Sequence, residues 1–135
     1  MLVYPGPFHP FNYYLSSNST VTSNVSSFLT VSGMSITPVA GSYLVIFTGT
    51  FRVATTNADG EFALFKGSTQ IQESTRRVFL NISIVALGLG NAFASNGVPM
   101  AKISVNGSEE ISAKFRATSG TIACDNRSMI LMAIS

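Results

Sequence analysis

Apolar and polar residues alternate along most of this chain in runs of strand length. In residues 41–53 apolar side chains fall on every second position, and Thr48, Thr50 and Arg52 occupy positions between them. Residues 111–118 repeat the pattern. Because successive side chains of a strand point to opposite faces, this period of two predicts strands with one buried face and one solvated face. No segment of helical length shows the apolar spacing of a helix.

Turn-forming residues separate these runs at intervals of about 8–12 residues, which is typical of an antiparallel sandwich or barrel. Gly67-Ser68 and Ser119-Gly120 are two such turns. Asn106-Gly107 is the strongest two-residue hairpin signal, so the strands on either side of it are expected to pair. The sequence therefore predicts an all-β, antiparallel sandwich of about 8–10 strands.

The last predicted strand differs from the others because it is apolar on both faces. Met129, Leu131 and Ala133 fall on one face, and Ile130, Met132 and Ile134 fall on the other. In a two-sheet sandwich only one face of a strand covers the core. The second apolar face therefore favours a subunit interface, and the alternative is a central strand covered by the N-terminal segment.

The composition shifts divide the chain into three parts. Residues 1–15 form an extended arm rich in proline and aromatic residues, residues 16–27 form a polar linker or weak edge strand, and residues 28–135 form the β domain. The arm either packs on its own domain or docks on a neighbouring molecule, since exposed apolar surface usually marks an interface. The candidate docking residues are Tyr4, Phe8, Phe11, Tyr13 and Tyr14.

Length and composition exclude several classes of protein. A chain of 135 residues is long enough for one domain with one core. Its hydrophobic content of 46% and net charge of +2 exclude disorder, and the small number of bases argues against nucleic-acid binding. Ser, Thr and Asn together number 40, so neutral polar groups replace ionic ones on the surface. A single cysteine excludes a disulfide scaffold.

No segment predicts export or membrane insertion. Pro5, Pro7 and Pro10 interrupt the N-terminal apolar residues, and no Lys or Arg precedes them, which does not fit a secretory signal. The apolar run at residues 129–134 is too short to cross a bilayer. Five Asn-x-Ser/Thr sequons occur, and without a signal we do not expect them to be glycosylated.

The residues with potential chemistry do not form a recognisable site. His9 has no nearby metal-ligating residue in sequence, and Cys124 has no base in its own strand, so a buried thiol is expected. Asp59 and Glu61 share a face and form either a solvated turn or part of a calcium site. We predict no enzyme activity, no metal and no cofactor. Arg76 or Arg77 is a candidate to pair with Glu109 or Glu110 across a subunit boundary.

The segment PVAGSYLVIFTGTF resembles the P-x-x-G-x-Y-x-x-x-F strand of the trimeric jelly-roll family of tumour necrosis factor and the complement collagen-tail globular heads. FALFKGSTQI, VPMAKISVNGSEEISAKF and RSMILMAIS are similar to later strands of that family, the last of which lines its threefold axis. The resemblance covers about residues 27–135 and is closest to phage and bacterial fibre heads and virion knobs. The collagen-like or coiled-coil stalk of many members is missing.

The resemblance implies a homotrimeric jelly roll and suggests roles for individual positions. Gly41 would form a tight entry to a core strand. Tyr43 and Phe47 would pack near the trimer axis or in the core, and Ile130, Met132 and Ile134 would line the axis. These five residues are the candidate trimer interface.

Two functions are therefore expected. The first is a structural protein of a phage particle, a trimer on the virion surface that decorates or cements the capsid and docks on another virion protein, such as the major capsid protein, through its N-terminal arm. The second is the glycan-binding head of a tail fibre or adhesin, whose hydroxyl- and amide-rich loops at residues 54–60 and 88–97 would contact a host sugar.

Overall fold

The alternating segments form nine β-strands and no helix within the residues that the computed structural model describes, which are 11–55, 57–79 and 98–134. The strands are β1 (Tyr13–Ser17), β2 (Val21–Ser23), β3 (Leu29–Ile36), β4 (Gly41–Val53), β5 (Asp59–Lys66), β6 (Thr69–Phe79), β7 (Met100–Val105), β8 (Ile111–Ser119) and β9 (Ile122–Ala133). The predicted all-β class is confirmed.

The strands form two antiparallel sheets. Sheet A has the order β1-β9-β4-β7, with β2 pairing farther along β9, and sheet B has the order β3-β8-β5-β6. The pairing is nested: β1 pairs with β9, β3 with β8, β4 with β7 and β5 with β6. The chain is thus doubled back on itself, and successive pairs alternate between sheet A and sheet B.

The inward faces of the two sheets form one core. An aromatic cluster lies at its centre, where the Phe51 and Phe62 rings stack with centroids 4.3 Å apart and Phe47 and Phe115 pack around them. Met129 and Leu131 of β9 are fully buried there. The apolar faces predicted from the period of two on β4 and β8 are therefore buried in this core, as is one of the two apolar faces predicted for β9.

Tyr43 and Phe47 are both fully buried in this core, so they are not on a surface that a second chain could contact. This corrects their inclusion in the candidate trimer interface and leaves them their packing role. Tyr43 also fixes the entry to β4, because its hydroxyl donates to the Val39 carbonyl at 2.8 Å, and Tyr13 accepts from the Val39 N–H at 3.1 Å. Burial, and to a smaller extent the neighbouring Tyr13, raises the pKa of Tyr43 to about 12.

The strands on either side of Asn106-Gly107 do not pair with each other, so the hairpin prediction is wrong. β7 lies in sheet A beside β4, whereas β8 lies in sheet B between β3 and β5. The turn itself forms, with Gly107 at a φ of 97° and Asn106 Oδ1 accepting from the Ser108 N–H. It carries the chain from one sheet to the other. The Gly67-Ser68 turn, in contrast, does join a paired hairpin, β5 and β6.

The predicted boundary between arm and linker falls inside a strand. Tyr13, Tyr14 and Leu15 belong to β1 and pair with β9, so this part of the proposed arm is a domain strand. Residues 16–27 contribute the end of β1 and the edge strand β2, which fits the edge-strand alternative for that part. Phe11 is 58% exposed. Tyr4 and Phe8 lie outside the described residues.

Sheet B has a second, smaller apolar cluster on its outer face. Phe28, just before β3, packs edge-on against Phe65 with ring centroids 5.0 Å apart. Lys114 and Arg116 place their cations over these two rings, at 4.7 Å from the Phe65 centroid and 4.5 Å from the Phe28 centroid. Phe65 is consequently only 6% exposed. The outer face of sheet B is therefore covered in part by the chain itself.

Candidate functional site

The outer face of sheet A contains a patch of exposed and partly buried apolar side chains. Strand register places four of them in a row across the sheet, from Tyr14 through Ile130 and Ile46 to Met100. In the next row, Met132 lies opposite Leu44, and Ile134 follows at the end of β9. We call these seven residues the apolar patch: Tyr14, Leu44, Ile46, Met100, Ile130, Met132 and Ile134.

Several side chains of the apolar patch remain open to solvent. Tyr14 is 66% exposed, Ile134 48% and Met100 45%. One alternative for the doubly apolar last strand was that the N-terminal segment covers its outer face. The part of that segment that forms β1 does not cover it, because β1 lies beside β9 in the same sheet. A contiguous apolar surface bordered by polar groups is typical of a protein–protein contact.

The patch contains three of the five predicted interface residues, Ile130, Met132 and Ile134, and adds others that sequence reasoning missed. Leu44 and Ile46 occupy outward positions of β4. The prediction of a polar outward face rested on Thr48 and the outward residues after it, so it did not include these two. The continuous apolar run Tyr43–Phe47 was the available signal. Met100 required tertiary information, because its neighbour Ile46 lies on another strand.

Beside the apolar patch, the same face of sheet A becomes polar. Ser16, Ser128 and Thr48 form the next row across three strands, and the hydroxyls of Thr48 and Ser128 hydrogen-bond at 2.9 Å. Beyond this row lies an open hollow with a volume of about 680 Å³, which we call the polar hollow. Its lining side chains include Tyr14, Ser16, Asn18, Thr48, Thr50 and Asn126.

A β-bulge shapes the polar hollow. Gly49 pairs with Arg127 and Phe51 pairs with Cys124, so Thr50 alone faces both Asp125 and Asn126. A bulge of this kind bends a strand and changes the direction of its side chains. Gly49 leaves no room for a side chain, because an added Cβ there would lie 3.0 Å from the Asn126 carbonyl oxygen and 3.0 Å from the Phe51 ring.

Arg127 anchors the bulge from the buried side. Its side chain is 4% exposed and donates to the carbonyl oxygens of Ser19, Ser32 and Asp125 and to the Ser19 hydroxyl. These hydrogen bonds use all five guanidinium N–H groups. Because Ser32 belongs to sheet B and Ser19 to the β1–β2 connection, one side chain ties two other segments to β9.

The charged residues at the far side of the hollow are paired. Arg52 donates to Asp125 Oδ2 at 2.7 Å, and Thr20 donates to Asp125 Oδ1 at 2.7 Å. These hydrogen bonds, that from Arg52 first, lower the pKa of Asp125. The pair holds β4, β9 and the start of β2 together at the edge of the polar face.

The acid residues considered for a calcium site each bind an arginine. Asp59 accepts from Arg77 at 2.6 Å, which lowers the pKa of Asp59, and Glu61 accepts from Arg116 at 2.5 Å. Arg77, a candidate for a pair across a subunit boundary, thus binds Asp59 within its own chain. Glu109 instead lies 3.5 Å from the Lys66 ammonium.

The remaining candidates for chemistry are separated. Cys124 is fully buried, as expected, and burial raises the pKa of its thiol to about 12. Within residues 11–55, 57–79 and 98–134, no three His, Cys, Asp or Glu side chains are grouped so as to hold a metal ion. Among these same residues there is no helix long and apolar enough to cross a membrane. His9 and residues 88–97 lie outside the described residues, as does Thr56 within the loop at 54–60.

Comparison with protein-family models and with curated proteins found no relative of this chain. No protein-family model matches the chain, and no curated protein matches it in sequence. Inferences about its function therefore depend on the geometry above and on the resemblance in its strand motifs.

Proposed function

We propose that this chain is a non-enzymatic structural protein of a virus particle, a homotrimeric jelly-roll knob that decorates the capsid of a phage. The observation that carries the proposal is the apolar patch on sheet A. Burying such a surface against other copies removes apolar area from water, with a gain of about 25 cal/mol per Å². A stable self-association is therefore the role this surface supports best.

The strand pairing supports the jelly-roll part of the proposal. The nested pairs β1–β9, β3–β8, β4–β7 and β5–β6 follow the order of a doubled chain rolled into two sheets. Jelly rolls of eight strands occur in viral capsid proteins and lectins. The trimeric state is taken from the resemblance of the β4 and β9 motifs to the tumour necrosis factor family.

The position of Asn12 supports an anchoring role for residues 1–10. Asn12 Oδ1 accepts from the Ala133 N–H at 2.8 Å, which places Asn12 beside the C-terminal end of β9. Phe11 and Ile134 are both exposed at this end. We infer that this end of the sandwich faces the particle and that the arm docks on another virion protein.

The self-association is tested by light scattering after size exclusion. We expect the full chain to elute with a mass of about three times 14.3 kDa. Met132→Asp places a charge in the apolar patch and should produce single chains, whereas Thr30→Asp, at an exposed position of β3 in the other sheet, should leave the mass unchanged. A monomeric or dimeric wild type, or a Met132→Asp variant with an unchanged mass, contradicts the proposed trimer.

The virion role is tested on particles produced in the organism that encodes the chain. Antibodies against the purified protein should label intact particles. A variant lacking residues 1–10 keeps β1 and should still form trimers but should no longer bind particles. Particles without the protein, or full binding of the shortened chain, would contradict the proposed location or the proposed anchor.

A further inference from the structure

The polar hollow is a built feature of sheet A. It lies at the bulge of Thr50 and Asn126 and is bordered by Tyr14, whose ring is exposed. Bulges are over-represented beside functional sites, where they redirect side chains. The volume of about 680 Å³ lies within the range of small-molecule sites.

The floor of the hollow is held in place before any ligand arrives. Arg127 lines the hollow, and its guanidinium is fixed by the carbonyl oxygens of Ser19, Ser32 and Asp125. Gly49 and Asn126 are thus part of a segment tied to both sheets. A ligand that binds there does not have to order this backbone, which reduces the entropic cost of binding.

The lining offers neutral hydrogen-bonding groups. Ser16, Thr48, Thr50, Asn18 and Asn126 supply hydroxyls and amides, which can both donate and accept. Among the described residues, the lining contains no carboxylate and one charged residue, Arg127, whose N–H groups are all used within the protein. This arrangement favours neither a cation nor an anion.

Tyr14 adds an apolar surface to this polar lining. Its side chain is 66% exposed, and its ring is available for contact on the side of the hollow. A pyranose sugar has the complementary composition, with C–H groups on one face and hydroxyls around its edge. Aromatic rings with a polar end suit such amphipathic partners.

We infer that the polar hollow binds a neutral carbohydrate, with Asn126 and Thr50 bonding its hydroxyls and Tyr14 packing on its apolar face. This inference does not depend on a virion role. Because Tyr14 also belongs to the apolar patch, the inference requires that self-association leaves the side of its ring that borders the hollow uncovered. The hollow is open rather than enclosed, so affinity for one sugar unit is expected in about the millimolar range, and several copies in one assembly would strengthen it by avidity.

The test is saturation-transfer NMR on the full chain with uncharged sugars: glucose, galactose, mannose, N-acetylglucosamine and their disaccharides. We expect transfer to at least one of them, and a chemical-shift titration then gives its dissociation constant. The double variant Thr50→Val with Asn126→Ala removes the central hydrogen-bonding groups and should weaken binding at least about tenfold. Thr30→Val, an exposed threonine of β3, is the matched control and should bind as the wild type does.

Three results would overturn the inference. The first is the absence of transfer to every sugar in the panel. The second is binding by the double variant within about twofold of the wild type. The third is a clear preference for sialylated or sulfated sugars over the neutral ones. Light scattering on the same variants keeps this result separate from the trimer proposal, because neither Thr50 nor Asn126 belongs to the apolar patch.

Discussion

At the scale of single residues, Arg127 shows how a buried charge can be accommodated by neutral groups. It lies in the middle of β9, and its acceptors come from the β1–β2 connection, from β3 and from β9 itself. Buried arginines usually need such a complete set of partners, because an unsatisfied buried group costs about 1–3 kcal/mol. The side chain therefore acts as a cross-link between the sheets.

We expect Arg127→Met to lower the free energy of unfolding by about 3 kcal/mol, because several carbonyl oxygens lose their donors together. The matched control is Arg76→Met. Arg76 also donates to backbone carbonyls, those of Glu73 and Thr75, but it is only partly buried, so a change within about 0.5 kcal/mol is expected. Urea unfolding followed by circular dichroism measures both, and equal effects of the two substitutions would refute the cross-link.

The Arg52–Asp125 pair makes stability depend on pH in a defined direction. The native pKa of Asp125 is lowered from 3.8, chiefly by the hydrogen bond from Arg52, so the folded state holds this proton less tightly than the unfolded state. The contribution is complete above pH 3.8 and is lost as the pH falls through the lower native pKa.

We expect Asp125→Asn to be less stable than the wild type at neutral pH and the difference to shrink below pH 3.8. Thermal melts at a series of pH values measure this. In an Arg52→Met background the pH-dependent difference should largely vanish, because the main cause of the lowered pKa is gone. A difference that stays constant down to pH 2 in the wild-type background would show that the pair does not contribute as described.

At the scale of elements, strand assignment and strand pairing have different origins. The two turns Gly67-Ser68 and Asn106-Gly107 look alike in sequence, yet only the first joins strands of one sheet. A turn reverses the chain over a few residues, but its flanking strands pair only if both lie in the same sheet. Here β7 pairs with β4 in sheet A, whereas β8 pairs with β5 in sheet B.

The segment before β3 is also an element with a defined role, because Phe28 covers Phe65 on the outer face of sheet B. We expect Phe28→Ala to cost about 2 kcal/mol of unfolding free energy, less than a fully buried phenylalanine, since Phe28 is half-buried. Leu29→Ala removes the next apolar side chain, which is 48% exposed, and should cost under about 0.5 kcal/mol. Denaturant titration of the two variants compares them, and similar costs would refute the covering role.

At the scale of the whole molecule, neutral groups dominate the surface that the proposed assembly would use. Four ion pairs join strands or turns within the described part of the chain, and none of their members belongs to the apolar patch. Lys102 lies beside Leu44 at the border of the patch. The driving force for association is therefore apolar burial, which salt does not screen.

We expect the dissociation constant of the assembly to change less than about threefold between about 0.05 and 0.5 M NaCl, because ionic screening acts on charges and not on apolar contacts. Sulfate, which strengthens apolar burial, should tighten the assembly. Analytical ultracentrifugation in the two salts measures these effects. A steep weakening with NaCl would indicate an interface held by charges instead of the apolar patch.

The sequence by itself determined the class of fold and most of the core. The period of two on β4, β8 and β9 identified Tyr43, Phe115 and Leu131 as inward residues, because alternation on a strand is a local consequence of backbone geometry. It also indicated a second apolar face on β9, and Met132 and Ile134 are indeed exposed there.

Only the tertiary structure decided which residues of different strands meet. The row from Tyr14 to Met100 joins four strands that are far apart in sequence, and the polar hollow depends on one extra residue in β9 at the bulge. Sheet order and register arise from the packing of the whole chain, so no local pattern predicts them. For the same reason Arg127, one base in a polar stretch of sequence, was not identifiable as the residue that ties the two sheets together.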